Sequence, residues 1–238
     1  MKFPAAGNRV MVLLVLPLLL AGCAKATATK AVVSSATTPG SGTGGTGPAR
    51  DLAVPDAVTD GQLDLRSGPV PVPLELRMPS LDAQAAVVGV GITDQDVMDA
   101  PMGPANAATW QQAFWYRGSA IPGANSTALI AGHVDDPLGR PGTFAHIDRL
   151  RPGDPIIIRD TRNGLDVRFS VTGSELYTLG QATEPAVLAE IYGAGPVAGT
   201  GPQPSGDGLA HLTLITCAGT FRNGTHDHRL VVFATRTA

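Results

Sequence analysis

The chain has 238 residues, of which 43% are apolar, 16% charged and 5% aromatic, so it can bury a core and is not a wholly disordered chain. Glycine (29) and proline (20) together form about a fifth of the sequence, which is typical of a turn-rich β protein with a flexible tail. The formal charge is −3 and no basic stripe is present beyond scattered arginines, so a nucleic-acid partner is not expected.

The N-terminus has the pattern of an export signal. Lys2 and Arg9 supply positive charge, and residues 10–20 form an apolar run that is shorter than the about 20 residues a spanning helix needs. The run ends in Leu20-Ala21-Gly22-Cys23, which resembles a bacterial lipobox. This resemblance implies that residues 1–22 are removed and that Cys23 is lipidated. The alternatives are an ordinary cleaved signal and an uncleaved anchor with an incidental cysteine.

Lipidation of Cys23 would leave the other cysteine of the chain, Cys217, without an intramolecular partner. Exported proteins use cysteine mostly in disulfides, so an unpaired thiol is a candidate reactive site. A buried cysteine that acts as a small hydrophobic residue is the commoner case in general. The sequence around Cys217 therefore has to decide between these two interpretations.

Residues 23–68 are predicted to form a flexible linker that precedes a folded domain at 69–238. The linker is rich in Ala, Thr, Ser and Gly, and residues 38–48 include none that could build a core. A coil of this length spans roughly 35–40 Å, so the domain could work near the outer face of a membrane.

From residue 72 onward, seven segments have the composition or the alternation of β-strands. They are residues 72–78, 85–90, 126–133, 155–160, 165–171, 211–217 and 229–236. Asn163-Gly164 lies between the fourth and fifth segments and predicts a tight hairpin. Short helices are predicted around 105–114, 144–150 and 184–192. Many short strands with Gly/Pro turns favour a mainly β fold, a single closed barrel of about eight strands with short helices.

Three residues that could carry chemistry lie at ends of predicted strands, namely His133, Cys217 and Arg229. A thiol on a rigid strand end suits a nucleophile, and it needs nearby positive charge to lower its pKa from about 8.5. Histidine can supply that charge and can also protonate a leaving amine, whereas arginine can hold an oxyanion or a substrate carbonyl. The pattern therefore predicts nucleophilic catalysis by a cysteine.

The same segments resemble a known family. Thr213-Leu214-Ile215-Thr216-Cys217 matches the Thr-Leu-x-Thr-Cys motif of sortases, the cysteine transpeptidases of Gram-positive cell surfaces. Ala131-Gly132-His133-Val134 is similar to the histidine motif of that family, and residues 229–234 are similar to its arginine strand. Further segments resemble the class F (actinobacterial) subset, at 74–79, 115–118, 133–135, 142–144 and 151–154. The resemblance covers about residues 70–238.

This resemblance implies an extracytoplasmic enzyme that cuts an LPXTG-type sorting signal between Thr and Gly. Cys217 would form a thioacyl-enzyme, with His133 and Arg229 completing the catalytic set and with Thr216 and Asp135 at the substrate or oxyanion site. The acyl group would pass to an amine of the cell wall or of a pilin, or to water. The implied partners are sorting-signal peptides, the amine acceptor and the membrane through lipid on Cys23, and no cofactor or metal is implied.

Some features depart from the family pattern. Members usually carry a transmembrane anchor rather than a lipobox, and Ala218-Gly219-Thr220-Phe221 stands where many class F members have Gly-Gly-x-Phe. The cluster His226-Asp227-His228 before Arg229 is also unexpected. Its two histidines could ligate a metal, but a zinc site needs three or four ligands and no further His or Cys completes one. A solvated loop is therefore preferred there.

Other functions are less compatible with the sequence. A papain-like peptidase has its cysteine before its histidine, and an L,D-transpeptidase has a different motif before its cysteine. A lipid-anchored surface binding module in which Cys217 is buried and inert is the alternative of a different class.

Overall fold

The computed structural model describes residues 52, 54, 64–94, 97–193 and 201–237. In these residues eight strands form a closed barrel, ordered β1-β2-β3-β4-β7-β8-β6-β5 around it. The strands are β1 (Val70–Met78), β2 (Ala83–Val90), β3 (Ala113–Tyr116), β4 (Thr127–Gly132), β5 (Pro155–Asp160), β6 (Asp166–Thr178), β7 (His211–Arg222) and β8 (Thr225–Arg236). The predicted single closed barrel of about eight strands is therefore confirmed.

Short helices connect the strands. They are the α-helix α1 (Pro185–Tyr192) and the 3-10 turns Pro79–Leu81, Ala108–Gln111, Ile147–Arg149 and Gln181–Thr183. Within the described ranges, no helix combines the length and the apolar character needed to cross a bilayer. The predicted export signal at 1–22, the lipidation site Cys23 and the linker up to residue 51 lie outside the described residues.

Six of the eight neighbouring strand pairs are antiparallel, and the pairs β2/β3 and β4/β7 are parallel. Parallel strands need a long crossover connection, and between β4 and β7 this connection includes β5, β6 and α1. Because β4 and β7 run in the same direction, β4 ends at Gly132 beside Thr216 in the middle of β7. The candidate catalytic residues lie around this point.

Successive side chains of each strand alternate between the two faces of the barrel wall. Ala128 and Ile130 of β4 pack inside the barrel with Leu214 of β7. Leu129 of β4 faces outward and packs against Ile191 of α1. Strand β4 is thus covered by apolar residues on both faces, which explains why its sequence is a continuous apolar run rather than an alternating one.

The segment before β1 also packs on the barrel. Leu52 and Val54 are only 3% and 7% exposed and belong to the core cluster. The carbonyl oxygen of Leu65 accepts a hydrogen bond from the backbone of Ile92 at 2.9 Å. The buried Arg117 side chain donates to the carbonyl oxygen of Ser67 at 2.6 Å. Contacts of the barrel therefore extend N-terminal to residue 69, where the sequence pattern put the start of the folded domain.

Two of the predicted helices differ in the structure. The segment 105–114 contains only a 3-10 turn, Ala108–Gln111, and then enters β3. The segment 144–150 holds the 3-10 turn Ile147–Arg149. Strand β3 was missed because its four residues are too short to show alternation, and its conformation is set by pairing with β2 and β4. The third predicted helix is α-helical as α1.

Strands β7 and β8 are longer than predicted and form a continuous ribbon. They are joined at Asn223 and Gly224, whose φ angles of +52° and +85° fit the tight turn that Asn-Gly favours. Cys217 is therefore not the end of its strand, and Arg229 does not open β8. Five further residues of β7 follow Cys217 and form the outer part of the ribbon.

Candidate active site

The pairing of β4 with β7 brings His133 to Cys217. These strands are in parallel register with Ala131 opposite Ile215, and the hydroxyl of Thr216 donates to the carbonyl oxygen of Gly132 at 2.8 Å. Continuing this register by two residues sets His133 beside Cys217. Both residues follow the alternation of the outward-facing positions, so their side chains lie on the outer face of the barrel.

Arg229 lies on the other side of the thiol. Cys217 and Arg229 are direct cross-strand partners in the antiparallel β7/β8 ladder, so their side chains leave the sheet on the same face. Nη1 of Arg229 donates to the carbonyl oxygens of His228 at 2.9 Å and His226 at 3.3 Å. These two bonds to its own strand restrain the guanidinium next to the thiol.

The His133 ring is held by three residues that precede it in the chain. Nε2 of His133 lies 2.9 Å from the carbonyl oxygen of Pro101. Since a carbonyl oxygen can only accept, Nε2 carries the hydrogen, and Nδ1 is the basic nitrogen of the neutral ring. The rings of Trp110 and Phe114 lie 4.6 and 5.2 Å from the imidazole, measured between centroids. Proton transfer at His133 is therefore expected at Nδ1.

Gly132 is required directly before His133. A Cβ atom at this position would lie 2.5 Å from the ring of Phe144, whose side chain is only 1% exposed and cannot retreat. Any larger residue would displace either the ring or the end of β4. Close packing against Phe144 therefore explains why glycine precedes His133.

The environment of Cys217 keeps its thiol protonated at rest. Burial raises the pKa of Cys217, the guanidinium of Arg229 acts in the opposite direction, and the carboxylate of Asp135 adds to the increase. Burial is the largest of these effects, so the net change is upward. A base next to the thiol is therefore needed to produce the nucleophilic thiolate.

The structure brings some of the predicted site residues together and separates one. His133, Cys217, Arg229 and Asp135 lie at the same end of the barrel wall. Thr216 is 4% exposed and points to the inner face, where its hydroxyl joins β7 to β4. Its hydroxyl therefore does not reach the face that carries the thiol.

The two histidines near the ribbon turn have protein partners. Nε2 of His226 lies 3.4 Å from Oδ1 of Asp135, and Nδ1 of His228 lies 2.6 Å from Oδ1 of Asp227. In the part of the chain that the structure describes, no three His, Cys, Asp or Glu side chains converge as metal ligands would.

The residues that hold the His133 ring were not predicted from the sequence. Trp110 and Phe114 were assigned to a helix, and the contact of Pro101 is made by its backbone carbonyl, which leaves no sequence signal. An aromatic pair shortly before a Gly-His strand end is the one feature that could have indicated a ring-stacking site.

A family model described as "Sortase domain" matches residues 76–237. No curated protein matches this sequence. Among solved structures, the chain is similar to sortase A from Corynebacterium diphtheriae, with 21% identity, a TM-score of 0.47, and coverage of 71% of this chain and 62% of that chain.

A lid mutant of the same C. diphtheriae protein matches with 21% identity and a TM-score of 0.48, covering 77% of this chain and 78% of that chain. A pilus-related sortase C of Group B Streptococcus has 17% identity and a TM-score of 0.45, with coverages of 69% and 66%. The chain spans less than two thirds of the first of these structures. Because the family model covers more than half of the sequence, including every segment that builds the site, the protein belongs to the sortase family.

Proposed function

We propose that the protein is an extracytoplasmic sortase of the class F type, which cuts an LPXTG-type sorting signal between Thr and Gly. It transfers the acyl group to an amine of the cell wall or of a pilin, or to water. The observation that carries this proposal is the register of β4, β7 and β8, which aligns His133, Cys217 and Arg229 on one face of the barrel. Nucleophile, base and oxyanion donor are the three groups that acyl transfer needs.

In the proposed first step, Nδ1 of His133 takes the proton from Sγ of Cys217, and the thiolate attacks the Thr carbonyl carbon of the signal. The oxygen of the tetrahedral intermediate gains negative charge, which the Nε and Nη2 donors of Arg229 stabilise. His133 then returns the proton to the leaving Gly amine as the C–N bond breaks. The product of this step is a thioester between Cys217 and the Thr residue.

In the second step, an amine attacks the thioester carbonyl and His133 accepts a proton from it. The C–S bond breaks as the new amide forms, and the Cys217 thiolate regains its proton from His133. Water in place of the amine gives hydrolysis. Thr216 contributes to this proposal by fixing the spacing of β4 and β7 from the inner face, while Asp135 borders the thiol.

The test of the activity is peptide cleavage by residues 24–238, followed by mass spectrometry of a library around the Leu-Pro-x-Thr-Gly pattern. The expected result is cleavage between Thr and Gly with an acyl adduct on Cys217. Cys217→Ala should abolish both, and His133→Ala should be nearly inactive. Cleavage at another bond, or turnover by Cys217→Ala near that of the unmodified protein, would contradict the proposal.

The binding-module alternative is favoured by one observation, the burial that raises the pKa of Cys217. Alkylation by iodoacetamide separates the two hypotheses. A thiol in a working site reacts faster in the folded protein than in His133→Ala at the same pH, whereas an inert thiol reacts slowly in both.

For the attachment of the protein, we propose the lipoprotein route, with residues 1–22 removed and a linker at 23–68 between lipid and domain. The lipobox Leu20-Ala21-Gly22-Cys23 supports it. Metabolic labelling with a fatty-acid analogue should tag the full-length protein, and Cys23→Ala should lose the label and release the protein. Membrane-bound protein that retains residues 1–22 would contradict this route.

A further inference from the structure

A side-chain pair joins the two segments on which the candidate catalytic residues lie. The turn after β4 contains Asp135, and the outer part of the β7/β8 ribbon contains His226, 91 positions later in the chain. Nε2 of His226 and Oδ1 of Asp135 are 3.4 Å apart, and the His226 side chain is only 13% exposed. The ring of Phe221 packs on the imidazole at 5.1 Å between centroids.

The Asp135 side of the pair is rigidly mounted. Its backbone forms a bridge with Pro141, and Asp136 closes the turn by accepting hydrogen bonds from the backbone N–H groups of Leu138 at 2.8 Å and Arg140 at 3.0 Å. Asp136 is 7% exposed, so these bonds are protected from water. These contacts therefore hold Asp135 at a fixed place in the turn that follows His133.

A β-bulge lies next to His226 in the β7/β8 ladder. The ladder shifts register between Ala218 and Phe221, with Gly219 at a φ of +79°. The carboxylate of Asp227 accepts the backbone N–H of Thr220 at 2.8 Å and so closes the bulge. The bulge turns the outer part of the ribbon, and with it the His226 ring, toward the Asp135 turn.

The direction of the hydrogen bond follows from its partners. The Nδ1 atom of His226 is buried and has no hydrogen-bond partner among the described residues. A carboxylate oxygen of an ionised aspartate can only accept, so Nε2 is the donor of the pair. Nε2 then carries the hydrogen and donates it to Asp135. The carbonyl oxygen of the same residue accepts from Arg229 at 3.3 Å, so His226 links the turn to that guanidinium.

We propose that Asp135 and His226 form a positioning pair, which holds the β7/β8 ribbon against the turn that follows His133. The pair thereby fixes the distance between the Cys217 thiol and the His133 imidazole. Its kinetic consequences rest on the proposed function, whereas its effects on ribbon motion and on thiol reactivity do not. The charged and titratable groups that face the thiol are Arg229, Asp135 and His133.

Charge and contact can be separated by substitution. Asp135→Asn keeps an oxygen that accepts from His226 but removes the negative charge beside the thiol. His226→Ala keeps the charge and removes the contact, and His226→Gln restores an N–H donor. Turnover should therefore depend on whether the hydrogen bond between residues 135 and 226 is present. The pKa of the Cys217 thiol should depend on the negative charge at position 135.

The kinetic experiment compares kcat and KM for one sorting-signal peptide. His226→Ala is expected to lower kcat by about ten- to a hundredfold with little change in KM, because small displacements of reacting groups have effects of this size. His226→Gln should retain most of the kcat that His226→Ala loses, because it keeps an N–H donor to Asp135. His211→Ala is the matched control, since it removes another His–Asp contact, that with Asp207, at the opposite end of β7. Equal impairment of His226→Ala and His226→Gln, or an unimpaired His226→Ala, would overturn the proposal.

Two measurements do not depend on turnover. Amide hydrogen exchange of residues 218–228 should be faster in His226→Ala than in His226→Gln. The pH midpoint of Cys217 alkylation should fall in Asp135→Asn, because the carboxylate opposes thiolate formation. An absence of cleavage by the unmodified protein and by every variant would refute the proposed function and leave the pair untouched. Unchanged exchange in His226→Ala would refute the pair, whereas an unmoved alkylation midpoint in Asp135→Asn would refute the effect of the Asp135 charge on the thiol.

Discussion

At Arg229 the side chain is fixed by hydrogen bonds to two carbonyl oxygens of its own strand. Lysine keeps the positive charge but lacks the planar guanidinium fork. In the proposed mechanism, one arm of that fork makes these backbone bonds while the other nitrogens donate to a substrate oxygen. Removal of one oxyanion donor costs about 2.7–4 kcal/mol in hydrolases, so Arg229→Lys should lower kcat/KM at least about a hundredfold with folding unchanged. The measurement is steady-state kinetics on one peptide at one pH.

The control for this prediction is Arg222→Lys. Arg222 is the exposed last residue of β7 and lies opposite Thr225. We expect near-normal kcat/KM from this variant. If Arg222→Lys loses most of its kcat/KM while Arg229→Lys stays near normal, the oxyanion role belongs to Arg222 and not to Arg229.

At Gly132 the close approach of Phe144 gives a second prediction. Gly132→Ala places a methyl group against a buried ring, and overpacking of this kind costs about 1–3 kcal/mol. We expect a lower urea midpoint and, because His133 is the next residue, a lower kcat. Phe144→Leu in the same background should recover part of the stability by making room. An unchanged midpoint in Gly132→Ala would show that the strand end adapts freely.

Among the elements, the β5/β6 hairpin depends on one buried carboxylate. Asp160 is 0% exposed and accepts from the backbone N–H of Arg162 at 2.9 Å and from its Nη2 at 2.8 Å. Asp160→Ala should therefore lower the free energy of unfolding by about 1–3 kcal/mol, measured by urea titration. Asp166→Ala on the same hairpin removes ion pairs that are more exposed to solvent than Asp160 is. It should lower the free energy of unfolding by only about 0–1 kcal/mol.

The pH dependence of this effect has a defined sign. The hydrogen bonds from Arg162 are the largest cause that lowers the pKa of Asp160 below its ordinary value. A lowered pKa stabilises the fold above the unfolded value of about 3.9, and this stabilisation is lost as the pH falls through the folded value. The difference between the unmodified protein and Asp160→Ala should thus be constant near neutral pH and shrink below about pH 4. A difference that grows in acid would contradict the assignment.

The elements also show what sequence alone could predict. Strand β5 was predicted at 155–160 with its observed bounds, because its isoleucines and the Asn163-Gly164 turn act locally. The ends of β7 and β8 were not, because polar residues such as Arg222 and His226 are held in the ladder by cross-strand pairing and by the Asn223-Gly224 turn. His133, Cys217 and Arg229 were found through motifs, whereas the Pro101 carbonyl and the Asp135–His226 contact arise only when distant segments meet.

For the whole molecule, the docked N-terminal segment predicts where a stable domain begins. Leu52 and Val54 each contribute about 1.5–3 kcal/mol by burial, partly offset by the entropy of ordering the chain. A protein of residues 69–238 should therefore be less stable than one of residues 46–238 by about 2 kcal/mol, measured by urea titration. Leu52→Ser in the longer protein should reproduce part of the loss. Equal stability of the two proteins would mean that the segment adds nothing to the core.

The protonated resting state of Cys217 has a consequence for the lifetime of an exported enzyme. Outside the cytoplasm, no glutathione pool returns an oxidised cysteine to its thiol. Oxidation to sulfenic and then to irreversible sulfinic acid proceeds through the thiolate. Because burial raises the pKa of Cys217, only a small fraction of the thiol is ionised and open to oxidation. In the proposed mechanism, the thiolate then exists mainly during turnover, when His133 removes the proton. Burial thus lowers nucleophilicity between encounters and preserves the sulfur for the next substrate.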